Sequence, residues 1–239
     1  MPLRLLRNEK ALGPAAARNL GAREGVGAYV AFLDDDDAWH PTKLSEVYNC
    51  LTQCPDVDVL FHRSSWEMES QDSSVSGCQR LDNAPRWVLL NQPPHVSGVV
   101  VRRSSHLAVG FDESFPAAAD LDYLLRLFER GSVVTLNRIL TIHARADSRL
   151  SAISIERRIA GRLALRTKHS HYFTDPDVEA FFLARLAHQY RRAGMRTKAF
   201  TTAAQSLRRR PTSLAFRALI ATLLPEGTTY REARYDRNI

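Results

Sequence analysis

Long hydrophobic runs are missing from this 239-residue chain. A helix that spans a bilayer needs about 20 consecutive apolar residues, and the apolar stretches here are short ones such as Ala28 to Leu33. Arg4 and Arg7 are not followed by an apolar core, so the start does not read as a signal peptide. Cysteine is scarce, with only Cys50, Cys54 and Cys78. Cys50 and Cys54 form a C-x-x-x-C pair, and His62 lies between that pair and Cys78. This set lacks the four ligands at finger-like spacing that a structural zinc site needs. The expectation is three reduced thiols in a cytosolic protein. No G-x-x-x-x-G-K-[ST] loop occurs, which excludes P-loop nucleotide chemistry.

A uniform excess of positive charge is also missing, although the net charge is +7. Residues 1–150 hold 16 basic and 19 acidic side chains, whereas residues 151–239 hold 17 and 7. The basic character therefore belongs to the C-terminal part alone. That asymmetry argues against a general nucleic-acid binder and for a basic appendage on a near-neutral domain. The length fits one large domain, or one domain with a small addition.

Along the chain, Leu3 to Leu6 reads as a short strand, and Gly13-Pro14 as a turn. Ala15 to Glu24 is rich in helix formers and ends at Gly25 and Gly27. Ala28 to Leu33 is continuous, apolar and bounded by breakers, which predicts a buried strand. A helix is expected after Pro41, with Leu44, Val47, Tyr48 and Leu51 at helical spacing. Asp56 to Phe61 reads as a strand, 64–85 as a polar loop, and Val96 to Val101 as a strand. Asp120 to Arg130 reads as a helix stopped at Gly131, and Val133 to Leu140 as a strand. This alternation predicts an α/β sheet with mostly parallel strands. From about Ile153 the chain reads as helical, with Ala180–Ala193 and Thr197–Leu207 forming an αα-hairpin. The domain expectation is 1–150 for the α/β part and 151–239 for a basic helical region.

Four adjacent acids, Asp34 to Asp37, follow the buried strand directly. Like charges so close repel unless solvent or a cation spreads the cost. In open α/β sheets, ligands bind beyond the carboxyl ends of strands. Hard divalent cations take carboxylate oxygens and keep positions open for phosphate. In extended chain Asp34 and Asp36 point the same way, so the two are expected to act together. A solvated acidic loop is the bland alternative, which the preceding strand and Trp39 disfavour. An EF-hand loop would need Gly where Trp39 stands. A haloacid-dehalogenase type of nucleophile would need D-x-D-x-[TV], and Asp34-Asp35-Asp36-Asp37-Ala38 does not supply it.

The run Asn8 to Gly21 resembles the N-x-x-x-x-G-x-x-x-A-R-N-x-G pattern of family 2 glycosyltransferases of the GT-A fold. Phe32-Leu33-Asp34-Asp35-Asp36-Asp37-Ala38-Trp39 is similar to that family's F-L-D-x-D-D-x-W. Val99 to Arg103 and Val109 to Glu113 resemble the stretch before its catalytic acid, and Asp120 to Leu127 its E-D-x-D-L-x-x-R-L segment. His143 falls where many members have R-x-H. The resemblance covers roughly residues 3–150. Two departures stand out. The family's opening V-S-V-I-I-P-x-Y-N strand and the next nucleotide-binding elements do not precede Met1, so the chain is expected to be a truncated form, a misplaced start or a degenerate copy. It is then expected to leave a sheet edge exposed and to transfer sugar poorly unless extended. The E-D pair is Ala119-Asp120, with the glutamate lost. The Q-x-x-R-W element of processive synthases is absent.

The resemblance implies a GT-A-like mixed sheet, N-terminally truncated, with a helical C-terminal appendage. It implies inverting transfer from a nucleotide-sugar donor to a glycan, lipid-linked or protein acceptor, dependent on Mn²⁺ or Mg²⁺. In that reading Asp120 is the base that takes the acceptor's proton, with helix capping as its structural alternative. Asp36 is the first choice of metal ligand, Asp34 holds the cation or the ribose, and His143 completes the shell or touches phosphate. Arg18 reaches the diphosphate or pairs with the acids. Asp35 and Asp37 are structural or supporting, with Asp35 also counted on the substrate side. Trp39 either stacks on a sugar or packs in the core. Asp122 is a solvated or hydrogen-bonded partner. Arg208-Arg209-Arg210 reads as a solvated helix face in preference to a contact with anionic lipid. The expected location is the cytoplasm or the inner face of the membrane, with envelope polysaccharide as the product class. The rivals are a non-catalytic binding or scaffold protein of this descent, and a basic RNA- or membrane-binding module resting on 151–239 alone.

Overall fold

The computed structural model describes residues 3–7, 10–65, 77–143 and 154–224. The chain divides into two compact units. The first comprises Met1–Pro85, Pro94–Ser114 and Ala119–Ser151, and the second Arg86–Pro93, Phe115–Ala118 and Ala152–Ile239.

In the first unit, α1 (Pro14–Glu24) starts on a proline, whose missing N–H costs nothing in a first helical turn. Then come β1 (Tyr29–Ala31), β2 (Ala38–Trp39), α2 (Lys43–Gln53), β3 (Val59–Ser65) and β4 (Cys78–Arg80). The helix α3 (Ala84–Leu90) runs across the boundary between the units. A 3₁₀ turn at Val96–Gly98 leads into β5 (Val99–Arg102), followed by α4 (Arg103–Val109), α5 (Ala119–Phe128) and β6 (Val133–Ile142). The strands form one sheet in the order β1-β5-β3-β6-β2, with β4 also on β6.

Among the described residues only β3 and β6 run parallel; the other four pairings are antiparallel. The mixed sheet agrees with the expected class, but mostly parallel strands were expected and are not found. Alternation of helix and strand forecasts parallel pairing only when each helix crosses over to a neighbouring strand. Here β5 inserts antiparallel between β1 and β3. The strand expected at Leu3 to Leu6 is also absent. Leu3 and Leu5 are 97% and 81% exposed, and no strand pairs with residues 3–7 among the described residues. An apolar run becomes a strand only where a ladder can take its backbone groups.

Register explains the core. Leu60 of β3 lies beside Val100 of β5 and Val134 of β6. These three point to one face and meet Val47 and Cys50 of α2. Their neighbours point to the other face, where Phe61 stacks on Phe128 of α5 with ring centroids 6.1 Å apart. Strands buried on both faces read as continuous apolar runs, as Val59-Leu60-Phe61 and Val99-Val100-Val101 do. The sulfurs of Cys50 and Cys78 are brought together, with Cα atoms 5.7 Å apart. Cys78 of β4 packs against the cluster that Val47 and Cys50 of α2 help to form.

The second unit is helical, as expected: α6 (Ile155–Lys168), a 3₁₀ turn at Ser170–Thr174, α7 (Pro176–Arg192), α8 (Arg196–Arg209) and α9 (Ser213–Leu223). Asp175 caps α7, accepting from the Asp177 and Val178 amides. It also pairs with Arg86 at 2.7 Å. Gly194, at φ 72°, turns the chain between α7 and α8. Fully buried Ala187, Ala199 and Ala203 let the two helices approach closely, and Ser206 Oγ donates to the Ala180 carbonyl at 2.7 Å.

Candidate functional site

The four acids lie between β1 and β2, and they turn. The Asp37 amide donates to the Asp34 carbonyl at 3.1 Å. The side chains therefore do not alternate as in extended chain. Asp34 is held by Arg18 at 2.6 Å, and its amide donates to Ser97 Oγ at 3.0 Å. Asp35 and Asp36 are exposed. Asp37 turns inward and keeps only 3% of its side chain exposed.

Pairing of β2 with β6 decides what Asp37 meets. Ala38 lies opposite Ile142, so the next pair outward is Asp37 and His143. His143 Nδ1 lies 3.3 Å from Asp37 Oδ1, and its Nε2 lies 2.7 Å from Ser64 Oγ. From the turn before β5, His95 Nδ1 reaches to 3.1 Å from Asp37 Oδ2. The two imidazoles meet edge to face at 4.2 Å. Oδ2 and His95 Nδ1 are buried atoms, and neither makes a hydrogen bond. Burial, with the neighbouring His95 ring, holds His143 below the usual imidazole range, against the pull of the Asp37 carboxylate. A neutral ring keeps a lone pair for a cation. Among the described residues, Asp37, His95 and His143 form one group with ligand atoms all within 4.8 Å.

Buried Ser97 ties this corner together. Its carbonyl accepts from Lys43 Nζ at 2.6 Å, Thr141 Oγ1 at 3.0 Å and Trp39 Nε1 at 3.1 Å. The Lys43 ammonium sits 3.9 Å from the centre of the Trp39 ring. Burial lowers the Lys43 pKa to about 7, opposed by the Asp37 carboxylate. Asn19 is buried and bonds the Phe111 carbonyl and amide at 2.9 and 2.8 Å, fixing α1 to the 111–113 turn. Asp120 opens α5, half-buried, and accepts from the Leu121 amide at 2.9 Å. Asp122 is fully buried and paired with Arg126 at 2.7 Å.

Residues 1–96 match the family model described as glycosyl transferase family 2. An uncharacterized glycosyltransferase of Haemophilus influenzae is 28% identical over 136 residues, which are 55% of this chain and 46% of that protein. The Escherichia coli enzyme named UDP-Glc:alpha-D-GlcNAc-diphosphoundecaprenol beta-1,3-glucosyltransferase WfgD is 48% identical over 73 residues, 30% of this chain and 28% of its own. The crystal structure of S. aureus TarS 1-349 in complex with UDP-GlcNAc superposes with a TM-score of 0.55 at 14% identity, covering 88% of this chain and 69% of that one. The chain is similar to glycosyl transferase family 2 over its first 96 residues. The likeness to TarS shows the fold, a GT-A-type mixed sheet with helices. The chain spans less than half the length of the curated relatives named here.

Against the sequence reading, the fold brings His143 into the cluster but not Asp34 or Asp36. Arg18 meets the acids, as one of its two readings had it. Trp39 is bonded within the Ser97 corner, with one ring face over Lys43. Asp37 and His95 were not singled out as ligands. The β2/β6 register would have picked out Asp37, but a two-residue strand carries almost no periodicity. Pro93-Pro94-His95 has no local mark of a ligand. No helix among the described residues is long and apolar enough to cross a membrane. Residues 144–153, which include Arg145, lie outside the described ones.

Proposed function

We propose that this chain is the cation-binding and acceptor-side part of a glycosyltransferase that moves a sugar from a nucleotide-sugar donor to an acceptor hydroxyl with inversion. The observation that carries the reading is the acid loop at the end of β1, closed from β6 by His143, inside a family 2 segment. The unbonded Asp37 Oδ2 and His95 Nδ1 fit a divalent cation, since an orphaned buried pair of this kind otherwise costs stability. Once bound, that cation supplies neutralising charge for the leaving nucleoside diphosphate.

The protein's own groups do the rest. Asp37 and His143 grip from within, and Asp36 acts from the solvent side, near enough for its charge to be felt at His143. Arg18 orients Asp34, whose carboxylate is then placed for the ribose or diphosphate side. Asp120, at the start of α5, takes the acceptor's proton. Asp122 is tied to Arg126 and serves to hold α5. The UDP sugars printed in the names of WfgD and the TarS complex support a UDP-linked donor, and the WfgD name supports a lipid-linked acceptor. The reading extends to a peripheral place at the inner membrane face for the basic 151–239 region.

The test is hydrolysis and transfer measured across a panel of nucleotide sugars, with lipid-linked and free glycan acceptors. Turnover of at least one donor, abolished by chelation and by Asp120→Asn, is the expected result. Transfer that survives both would overturn it.

A further inference from the structure

We propose that His95 is a third protein ligand beside Asp37 and His143, and that this one-carboxylate, two-imidazole set selects a first-row transition dication over Mg²⁺. The inference rests on the transferase reading for the cation's purpose, but its chemistry stands on the cluster itself.

Three observations converge. Asp37 is a carboxylate with 3% of its side chain exposed. Its Oδ2 lies 3.1 Å from His95 Nδ1 without a hydrogen bond between them. Both atoms are buried without a hydrogen bond, so a cation between them would satisfy both. His143 has the arrangement that metal-bound histidines show. Its Nδ1 faces Asp37, while Nε2 is fixed by Ser64 Oγ at 2.7 Å. The ring is therefore held with one nitrogen turned inward.

The donor types then decide the metal. Mg²⁺ favours oxygen ligands, holds near-ideal octahedral geometry and gives up water reluctantly. Imidazole suits zinc, iron, nickel and copper, and affinity for nitrogen donors rises along the first row. Two imidazoles and one carboxylate fit that row, and they suit Mg²⁺ poorly. The ligand atoms lie within 4.8 Å of one another, close enough for one ion to reach all three. His95 is the most open of the three, with 41% of its side chain exposed. The solvent side is the one from which a diphosphate would reach the ion. Asp35 and Asp36, both exposed, flank that side of the loop.

The experiment is titration of the 239-residue chain with Co²⁺, followed by its visible absorption, with Mn²⁺ followed in parallel by electron paramagnetic resonance. Each is repeated with Mg²⁺ in large excess and on His95→Asn and His143→Asn. Circular dichroism in chelator checks that the variants fold. UDP binding is then measured with Mn²⁺ and with chelator. Co²⁺ should bind with the spectrum of a nitrogen-ligated ion and resist Mg²⁺. Losing a partner that merely supports a ligand weakens metal binding about 10–100-fold, so His95→Asn should weaken Co²⁺ by at least about tenfold. Displacement by Mg²⁺, or unchanged affinity in a folded His95→Asn, would overturn the proposal. Should His95→Asn not fold, an all-oxygen Co²⁺ spectrum in the wild type would overturn it, and a nitrogen-ligated one that His143→Asn weakens and Mg²⁺ does not displace would uphold it. If UDP binding needs metal yet ignores His95, the transferase reading stands and this ligand assignment falls. If the metal binds as described and UDP does not bind at all, the assignment stands and the transferase reading loses its support.

Discussion

Asp122 and Asp37 are both buried carboxylates of the first unit, with 0% and 3% of their side chains exposed, and they are held in opposite ways. Asp122 sits one helical turn from Arg126 and shares two close contacts with it, at 2.7 and 2.9 Å. Arg126 in turn donates to the Val109 carbonyl at 2.8 Å, so the pair ties α5 to the end of α4. Asp37 has no arginine or lysine within ion-pair distance among the described residues. It faces two imidazoles, and one of its oxygens is left unbonded. A buried acid with its charge answered is architecture. A buried acid that keeps an unbonded oxygen is held at a cost, and such costs gather at functional sites.

The largest expected effect lies with a third carboxylate. Asp120 is half-buried and has no side-chain cation partner among the described residues. If it is the base, Asp120→Asn lowers turnover by about 10²–10⁴-fold. Donor affinity stays nearly unchanged, because an amide differs little in size but cannot accept the proton. Steady-state kinetics beside equilibrium donor binding separates the two quantities. An equal loss in both would move Asp120 to the side of Asp122, as structure.

Next in size is Asp122→Ala. Breaking a buried ion pair from one side costs about 3–5 kcal/mol. Because Arg126 keeps 21% of its side chain exposed, about 3 kcal/mol is the expected loss, read by urea denaturation. In chelator, Asp37→Asn should change stability by less than about 1 kcal/mol in either direction, since little is answered there to lose. A large loss on Asp37→Asn without metal would erase the contrast between the two acids.

Much of this was legible in the residues. The elements α1, β1, α2, β3, β5, α5 and β6 fall near where periodicity and breakers put them, whereas β4 lies inside the stretch read as a loop and Leu3 to Leu6 forms no strand. The acid run at a strand end pointed to the corner where Asp37 meets His95 and His143, because an apolar strand feeding straight into four like charges has few bland explanations. What could not be read was pairing. Asp34 and Asp36 were favoured on the geometry of extended chain, and the chain turns between Asp34 and Asp37 instead. His95 arrives from a segment 58 residues beyond Asp37, brought there by strand order and not by any local pattern. Cys50 and Cys78 meet for the same reason. Contacts across a sheet depend on order and direction, which a single sequence encodes only weakly.

A smaller effect sharpens the same contrast through pH. His62 is buried, and burial together with the charge of Lys43 lowers its pKa from 6.5 to about 3. The unfolded chain takes up that proton near its ordinary value, while the folded chain resists it. Stability is therefore full above about pH 6.5 and falls as pH drops toward about 3. Lys43 adds to the trend on the alkaline side: it loses its proton near pH 7 when folded and near 10.5 when unfolded, so stability rises across that range. Thermal melts in chelator should show both slopes. His62→Gln should flatten the acid one and leave the alkaline one in place.

The most direct test of the central claim is calorimetric titration of UDP into the 239-residue chain, with Mn²⁺ and with chelator, for the wild type and Asp37→Asn. The account expects binding by the wild type with Mn²⁺, and loss of that binding both on chelation and on substitution. Equal UDP affinity in all four titrations would contradict it.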